Sequence, residues 1–223
     1  MSLSLFDARR PGLPTVVPDD VIREYLARAT YVTWYDAIET PADTVEVLDL
    51  AIPAFLDAVP NFRQLLDGMA SDTRERLARI ELALRRLGPD RDLAEWVRLS
   101  DSLSAQQLLR ELFQSATGGA NGALVGFGPA KCTKMLHRKR PRLIPIIDSY
   151  SRLLWAGASS SAWTTNEMVE ITIALGHWLA DHEGELETVR GLAVEQWPDL
   201  ELSDVRLYDI IQYEHMRAAG TAS

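Results

Sequence analysis

The sequence predicts an all-α fold of about nine or ten helices. Apolar residues recur at helical spacing in nearly every segment, and no run alternates apolar and polar residues convincingly enough to read as a strand. The strongest turn signals, Gly88-Pro89, Gly118-Gly119 and Pro198, fall between helical segments rather than inside them. A chain of 223 residues buries a full core, either as one all-α domain over 1–223 or as two closely packed lobes.

Pro18-Asp19-Asp20 opens a helix over 21–29, and 31–39 reads as a short aromatic helix or a turn of helix. A further helix begins over 43–50, and Pro53 and Pro60 interrupt the stretch after it. The clearest helix covers 72–87, with Leu77, Ile80, Leu82, Leu84 and Leu87 on its apolar side and Gly88-Pro89 as its stop. Segments 93–99 and 104–116 come next, the second capped by Ser104 and ended by Gly118-Gly119. Beyond a distinctive motif at 120–156, helices are expected over 149–155, 165–181, 185–193 and 204–218, separated by loops at 157–161 and 196–203.

Hydrophobic residues make up 47% and charged residues 25%, the balance of a water-soluble globular chain. No apolar run reaches the roughly 18 residues of a membrane span. The first ten residues lack the apolar core of a signal peptide, so a cytoplasmic location is expected. Cys132 is the only cysteine, which excludes an intrachain disulfide, a four-cysteine zinc site and a cysteine-ligated iron–sulfur cluster. No cofactor or metal is expected.

The segment 125–152 carries the most information. Gly126-Phe127-Gly128 forms a tight turn that opens onto a helix at Pro129, a residue suited to a first helical turn. Glycines admit positive φ and a close phosphate approach, and the unpaired N–H groups of the next helix point toward such an anion. Small Cys132 lets two helices cross closely. Six cations lie between positions 131 and 142, namely Lys131, Lys134, Arg138, Lys139, Arg140 and Arg142, with no acid among them. The chain carries a net charge of −9, so the remainder sums to −15. Positive charge concentrated on an acidic body predicts an anionic ligand, DNA or another phosphate-bearing molecule. His137 reads as a phosphate or carbonyl donor rather than a general base. Asp148 closes the motif, placed as the N-cap of the next helix and as a candidate catalytic carboxylate.

Gly126 to Cys132 and Leu143 to Asp148 resemble the helix–hairpin–helix and downstream aspartate of the helix–hairpin–helix DNA glycosylase superfamily. More closely, KMLHRKRPRLIPIIDS (134–149) and DVRLYDIIQY (204–213) are similar to a bacterial group known as domain of unknown function 6308. The distant resemblance implies a two-lobed all-α fold and N-glycosidic bond cleavage on damaged or unusual bases. It places Gly126 and Gly128 on the hairpin glycines and Asp148 on the aspartate that supports an oxocarbenium-like transition state. Superfamily members with lyase activity carry a lysine where this chain has Ala130, and Lys131 is turned by about 100° on a helix. The resemblance therefore implies a hydrolase without lyase activity.

Two other classes stay open: a non-catalytic module binding nucleic acid or a nucleotide, and an acidic helical interaction domain whose basic strip docks an acidic partner. Tyr31, Trp34 and Tyr35 suit core packing or stacking on an extruded base. His177, Asp181 and His182 have spacing that can hold a metal but lack a third matching ligand, and read as exposed helix residues. A base-sized pocket beside Asp148 separates the enzyme from the binding module.

Overall fold

The computed structural model describes residues 2–3, 17–56, 58, 71–117, 127–156 and 164–218. It is helical throughout, apart from a two-residue antiparallel pairing of Ser2–Leu3 with Val17–Pro18. Ten α-helices are described: α1 (Asp19–Arg28), α2 (Val32–Tyr35), α3 (Ser71–Leu87), α4 (Leu93–Leu99), α5 (Ser102–Thr117), α6 (Pro129–Lys139), α7 (Ser149–Ala156), α8 (Thr165–Asp181), α9 (Glu183–Gln196) and α10 (Asp204–Ala218). A 3-10 helix over Val47–Leu56 contains Pro53. Among the described residues no helix is long and apolar enough to cross a membrane.

Local chemistry sets most boundaries. Asp92 caps α4 by accepting from the Glu95 N–H at 3.0 Å. A capping box starts α8, where Thr164 Oγ1 accepts from Glu167 N–H and Glu167 Oε2 accepts from Thr164 N–H. α3 ends at Gly88, whose φ of +92° is the left-handed conformation glycine favours. α5 starts earlier than Ser104; the Asp101 carboxylate accepts from Ser104 N–H at 3.0 Å and takes the capping role.

Over 31–39 the turn-of-helix alternative forms, as the single turn Val32–Tyr35. Other expectations differ: 43–46, the start of the helix expected over 43–50, is not helical. The segment after it winds as a 3-10 helix, a tighter form that accommodates Pro53. Leu82 is 46% exposed, because a 100° step per residue turns it off the face formed by Leu77, Ile80, Leu84 and Leu87. Pro60, Gly118, Gly119, Gly126 and the 157–161 loop lie outside the described residues.

α3 packs on α5, and α8 crosses both α4 and α5. Gly176 permits the α4–α8 approach, since a Cβ there would lie 2.6 Å from Val97 Cγ2. α10 packs against α1 and α7, while α6 lies between α5 and the 3-10 helix. One main apolar cluster draws residues from α1 through α10. α10 is buried almost all round, with every residue from 205 to 212 inside, so any charged residue there is held in the interior.

Candidate active site

Half of the basic run is built into the protein interior: Lys134, Lys139 and Arg140 are buried, Lys131 and Arg138 are half-buried, and Arg142 is exposed. Helix α6 turns Lys134, His137, Lys139 and Arg140 inward, and all four are buried. Lys139 Nζ lies 2.8 Å from Asp49 Oδ2 and donates to the Pro41 carbonyl. Arg140 donates to the carbonyls of Gly88, Ala42, Lys139 and Leu84 and to Asp43 Oδ1 at 2.5 Å. Those five bonds use the five N–H donors of a guanidinium. Arg138, half-buried, donates to the Ile38 carbonyl and lies over the Tyr35 ring. The expectation of a cationic strip facing an anion is thereby corrected: these side chains fasten α6 to the irregular 36–56 segment. Periodicity does not reveal this, because the backbone carbonyls of that segment are the acceptors. Lys131 lies near the Phe127 ring, and exposed Arg142 joins an acidic groove containing Asp90, Asp92 and Asp204.

His137 is fully buried, its Nδ1–H donating to the Ile144 carbonyl at 2.7 Å and its ring stacked near Tyr35. Burial, and then the Arg206 charge, push its pKa down to about 3, so it is neutral and closed to a phosphate. Gly128 has φ −71° and ψ 174°, ordinary extended backbone, and a Cβ there would meet nothing within 4 Å. The expected conformational need for glycine does not arise at this position. Gly126 lies outside the described residues. Cys132 does mark a close crossing, with Sγ 3.1 Å from the Ala116 carbonyl of α5.

A cleft of about 360 Å³ opens beside Asp148, lined by Tyr31, Trp34, Phe55, Lys134, Ile146, Arg206, Asp209 and Tyr213 among others. Its parts converge from four elements. α10 supplies Arg206, Asp209 and Tyr213, whose spacing of three and four residues puts them on one face. α6 supplies Lys134, whose ammonium donates to the Leu56 carbonyl at 2.7 Å. Tyr31 and Trp34 come from the α2 turn, and Phe55 from the 3-10 helix. Trp34 is 67% and Phe55 47% exposed, an apolar rim on a polar floor.

Asp148 caps α7, its Oδ1 accepting from the N–H groups of Tyr150 at 2.9 Å and Ser151 at 3.1 Å. The expected cap is therefore present, and Oδ2 accepts none of these bonds. Ser151 Oγ donates to the Ile146 carbonyl and accepts from Gln212 Nε2, tying the start of α7 to α10.

Arg206 organises the floor. Its Nε donates to both oxygens of Asp36, at 3.0 and 2.9 Å, and its Nη1 donates to Asp209 Oδ2. Its Cζ lies 5.0 Å from the Tyr35 ring centre and 5.8 Å from that of Tyr31. Nη2 is buried with no partner, as is the Tyr31 hydroxyl. Burial pushes the Asp209 carboxyl up to about 7; Arg206 and Lys134 oppose the shift, and the Asp148 and Asp36 charges add to it. Burial likewise raises the Asp36 carboxyl, against the pull of Arg206.

Of the expected site residues, the cleft unites Asp148 and Lys134, with Tyr31 and Trp34 on its wall, and leaves Lys131, His137, Arg138, Lys139, Arg140 and Arg142 outside its lining. Arg206, Asp209 and Tyr213 were not anticipated as site residues. Their signal is an Arg and an Asp three apart in the stretch 205–211, whose other residues are Val205, Leu207, Tyr208, Ile210 and Ile211. His177, Asp181 and His182 line a separate cleft beside Trp155 and Trp178, where His182 stacks on Trp178 at 4.2 Å. Among the described residues, no three potential ligands come together to hold a metal ion.

No curated protein and no solved structure matches the chain. A family model described as a family of unknown function, DUF6308, matches residues 18–216, and the chain belongs to that family.

Proposed function

We propose that the cleft is the catalytic site of a hydrolase that cleaves N-glycosidic bonds without a lyase step, in the manner of the glycosylases its motif resembles. The observation that carries this reading is the placement of Asp148 and Asp209 in one aromatic-walled cleft. Two carboxylates in unlike environments divide acid and base work between them. Asp209, pushed up to about 7, retains a proton near neutrality and delivers it to the departing base. The electron pair of the breaking C–N bond leaves with that base, and positive charge develops on the sugar. Asp148, held by the start of α7, presents its second oxygen to that charge. Preorganised opposite charge of this kind lowers a barrier by about 3 kcal/mol or more in a water-poor site. Water then bonds to the sugar carbon and returns a proton to Asp209, restoring the enzyme. Tyr31, Trp34 and Tyr213 flank the base. Ala130 occupies the lyase-lysine position, and Lys131 is not among the cleft residues.

The test is chromatographic detection of free base from a panel of nucleosides and modified oligonucleotides, with Asp148→Asn and Asp209→Asn alongside. A wild type that releases no base from any substrate overturns the reading. A binding module without chemistry is the second reading, favoured by one observation: Asp148 already has structural employment as a cap. That reading expects ligand affinity to survive in both Asn variants with no turnover in any protein.

A further inference from the structure

Resting on the hydrolase reading, we infer that the substrates are free, uncharged nucleosides whose base carries a carbonyl acceptor, rather than bases within duplex DNA. The volume of the cleft, about 360 Å³, suits a nucleoside-sized ligand and equally an extruded base. Charge separates the two. A protein that holds a duplex neutralises several phosphates with Lys and Arg around its site. Among the described residues the cations of the motif are directed elsewhere: Lys131 lies near the Phe127 ring outside the cleft lining, Lys139 and Arg140 are sealed in the interior, Arg138 holds the Ile38 carbonyl, and Arg142 sits in the acidic groove. Arg23, Arg28, Arg79, Arg86, Arg98 and Arg190, on other helices, each face a carboxylate.

Within the cleft the same balance holds. Among the described lining residues the cations are Lys134, which donates to the Leu56 carbonyl, and Arg206, which faces Asp36 and Asp209. Asp148 in the lining and Asp36, which holds the Arg206 Nε, offset them, so a phosphate group meets a carboxylate as well as cations there. A 5′-phosphate, and still more a polyanionic duplex, is disfavoured on this ground.

The floor also selects the base. Arg206 is 1% exposed, and its Nη2 and the Tyr31 hydroxyl are buried donors without partners on residues that line the cleft. An unmet buried donor costs about 1–3 kcal/mol, a penalty that a ligand carbonyl oxygen relieves. A base with such acceptors therefore gains over one that lacks them, while the exposed ring of Trp34 and the Phe55 side chain cover its face.

The experiment measures base release from inosine, uridine and their 2′-deoxy forms, from their 5′-monophosphates, from purine riboside, which has no carbonyl, and from hypoxanthine or uracil within single- and double-stranded oligonucleotides. Cleavage of free oxo-nucleosides, with the monophosphates and the duplexes at least about tenfold poorer in kcat/KM, is the expected result. Cleavage of the duplex substrates as fast as, or faster than, the nucleosides overturns this inference and leaves the hydrolase reading standing. Release from no substrate at all overturns the hydrolase reading, and this inference with it. Tyr31→Phe keeps the ring and removes one donor; it is expected to narrow the preference for inosine over purine riboside by about threefold or more. An unaltered preference in that variant overturns the acceptor requirement.

Discussion

Helices α6 and α10 both carry charge into the interior, and they treat it in opposite ways. In α6, Arg140 makes five hydrogen bonds, to four carbonyls and one carboxylate, and Lys139 pairs with Asp49. In α10, Arg206 faces two carboxylates and still keeps Nη2 without a partner, while its neighbour Asp209 is pushed up to about 7. A buried cation with every donor used is a fastener, because nothing remains for a ligand to satisfy. A buried cation with one donor unmet beside a carboxylic acid poised near neutrality leaves something for a ligand to satisfy, which is the ground of the proposed site. Charge density along the sequence points to the first region; the second stands apart because its unmet donor lines a cleft beside a carboxylic acid, whereas the unmet His137 Nε2 and Arg138 Nε of α6 lie outside that lining.

The sharpest way to break this contrast is to remove the fastener. Arg140→Met deletes five hydrogen bonds, among them those to Asp43 and to the Gly88, Leu84 and Ala42 carbonyls that tie the end of α6 to α3 and the 36–56 segment. Each carbonyl left buried without its donor costs about 1–3 kcal/mol, so the lost bonds between elements amount to about 3 kcal/mol or more. Urea melts of variant and parent are expected to show a loss of that size. Asp43→Asn removes the same pair's charge from its 55% exposed end and is expected to cost less than about 1 kcal/mol. Equal losses in the two variants would contradict the claim that the carbonyl bonds carry the fastening.

Asp209 tests the other side. Its carboxyl ionises near 7 in the fold against 3.8 as an ordinary aspartate, so folding favours its protonated form. The stability this contributes is full below about 4 and is lost as pH rises through about 7. Asp209→Asn has no such group, so its stability relative to the parent is expected to rise from pH 4 to pH 8 in paired melts. In base release, loss of the proton donor is expected to cost about a hundredfold or more, and the parent's activity to fall as pH climbs above about 7. A parent whose activity rises through that range assigns proton donation to another group.

Asp148→Asn separates chemistry from capping. Asn is as good an N-cap as Asp, so the melt is expected to move by only a few tenths of a kcal/mol. The lost charge is expected to reduce base release by about a hundredfold. An Asn variant as active as its parent leaves Asp148 a cap and nothing more.

Much of the fold was legible from local chemistry. The bounds of α8 and α10 come from a Thr164–Glu167 capping box and from the acid opening at Asp204, both local signals. The illegible part depends on distant backbone. That Lys139 and Arg140 face inward is due to the carbonyls of Pro41, Ala42, Leu84 and Gly88, which no periodicity in 131–142 reveals. Asp148, Tyr31 and Trp34 could be singled out, one by its place at a helix start and two as aromatics in a short turn. Their meeting with Asp209 and Arg206 could not, since only the packing of α10 against α7 joins positions some sixty residues apart.

The smallest expected effect lies at Gly128, where the hairpin argument is most exposed. Its φ of −71° is open to every residue, and a Cβ meets nothing within 4 Å. Gly128→Ala reduces the freedom of the unfolded chain, a gain of about 0.4–1 kcal/mol. Against that, Gly128 is the N-cap of α6, a position where alanine is inferior to glycine by a similar amount. The two terms oppose each other, and the melt is expected to stay within about 0.5 kcal/mol of the parent. Base release is expected to be unaltered, because Gly128 does not line the cleft. A variant that keeps its melt and loses activity would return the glycine turn to the site, and with it a phosphate-bearing substrate on the first turn of α6.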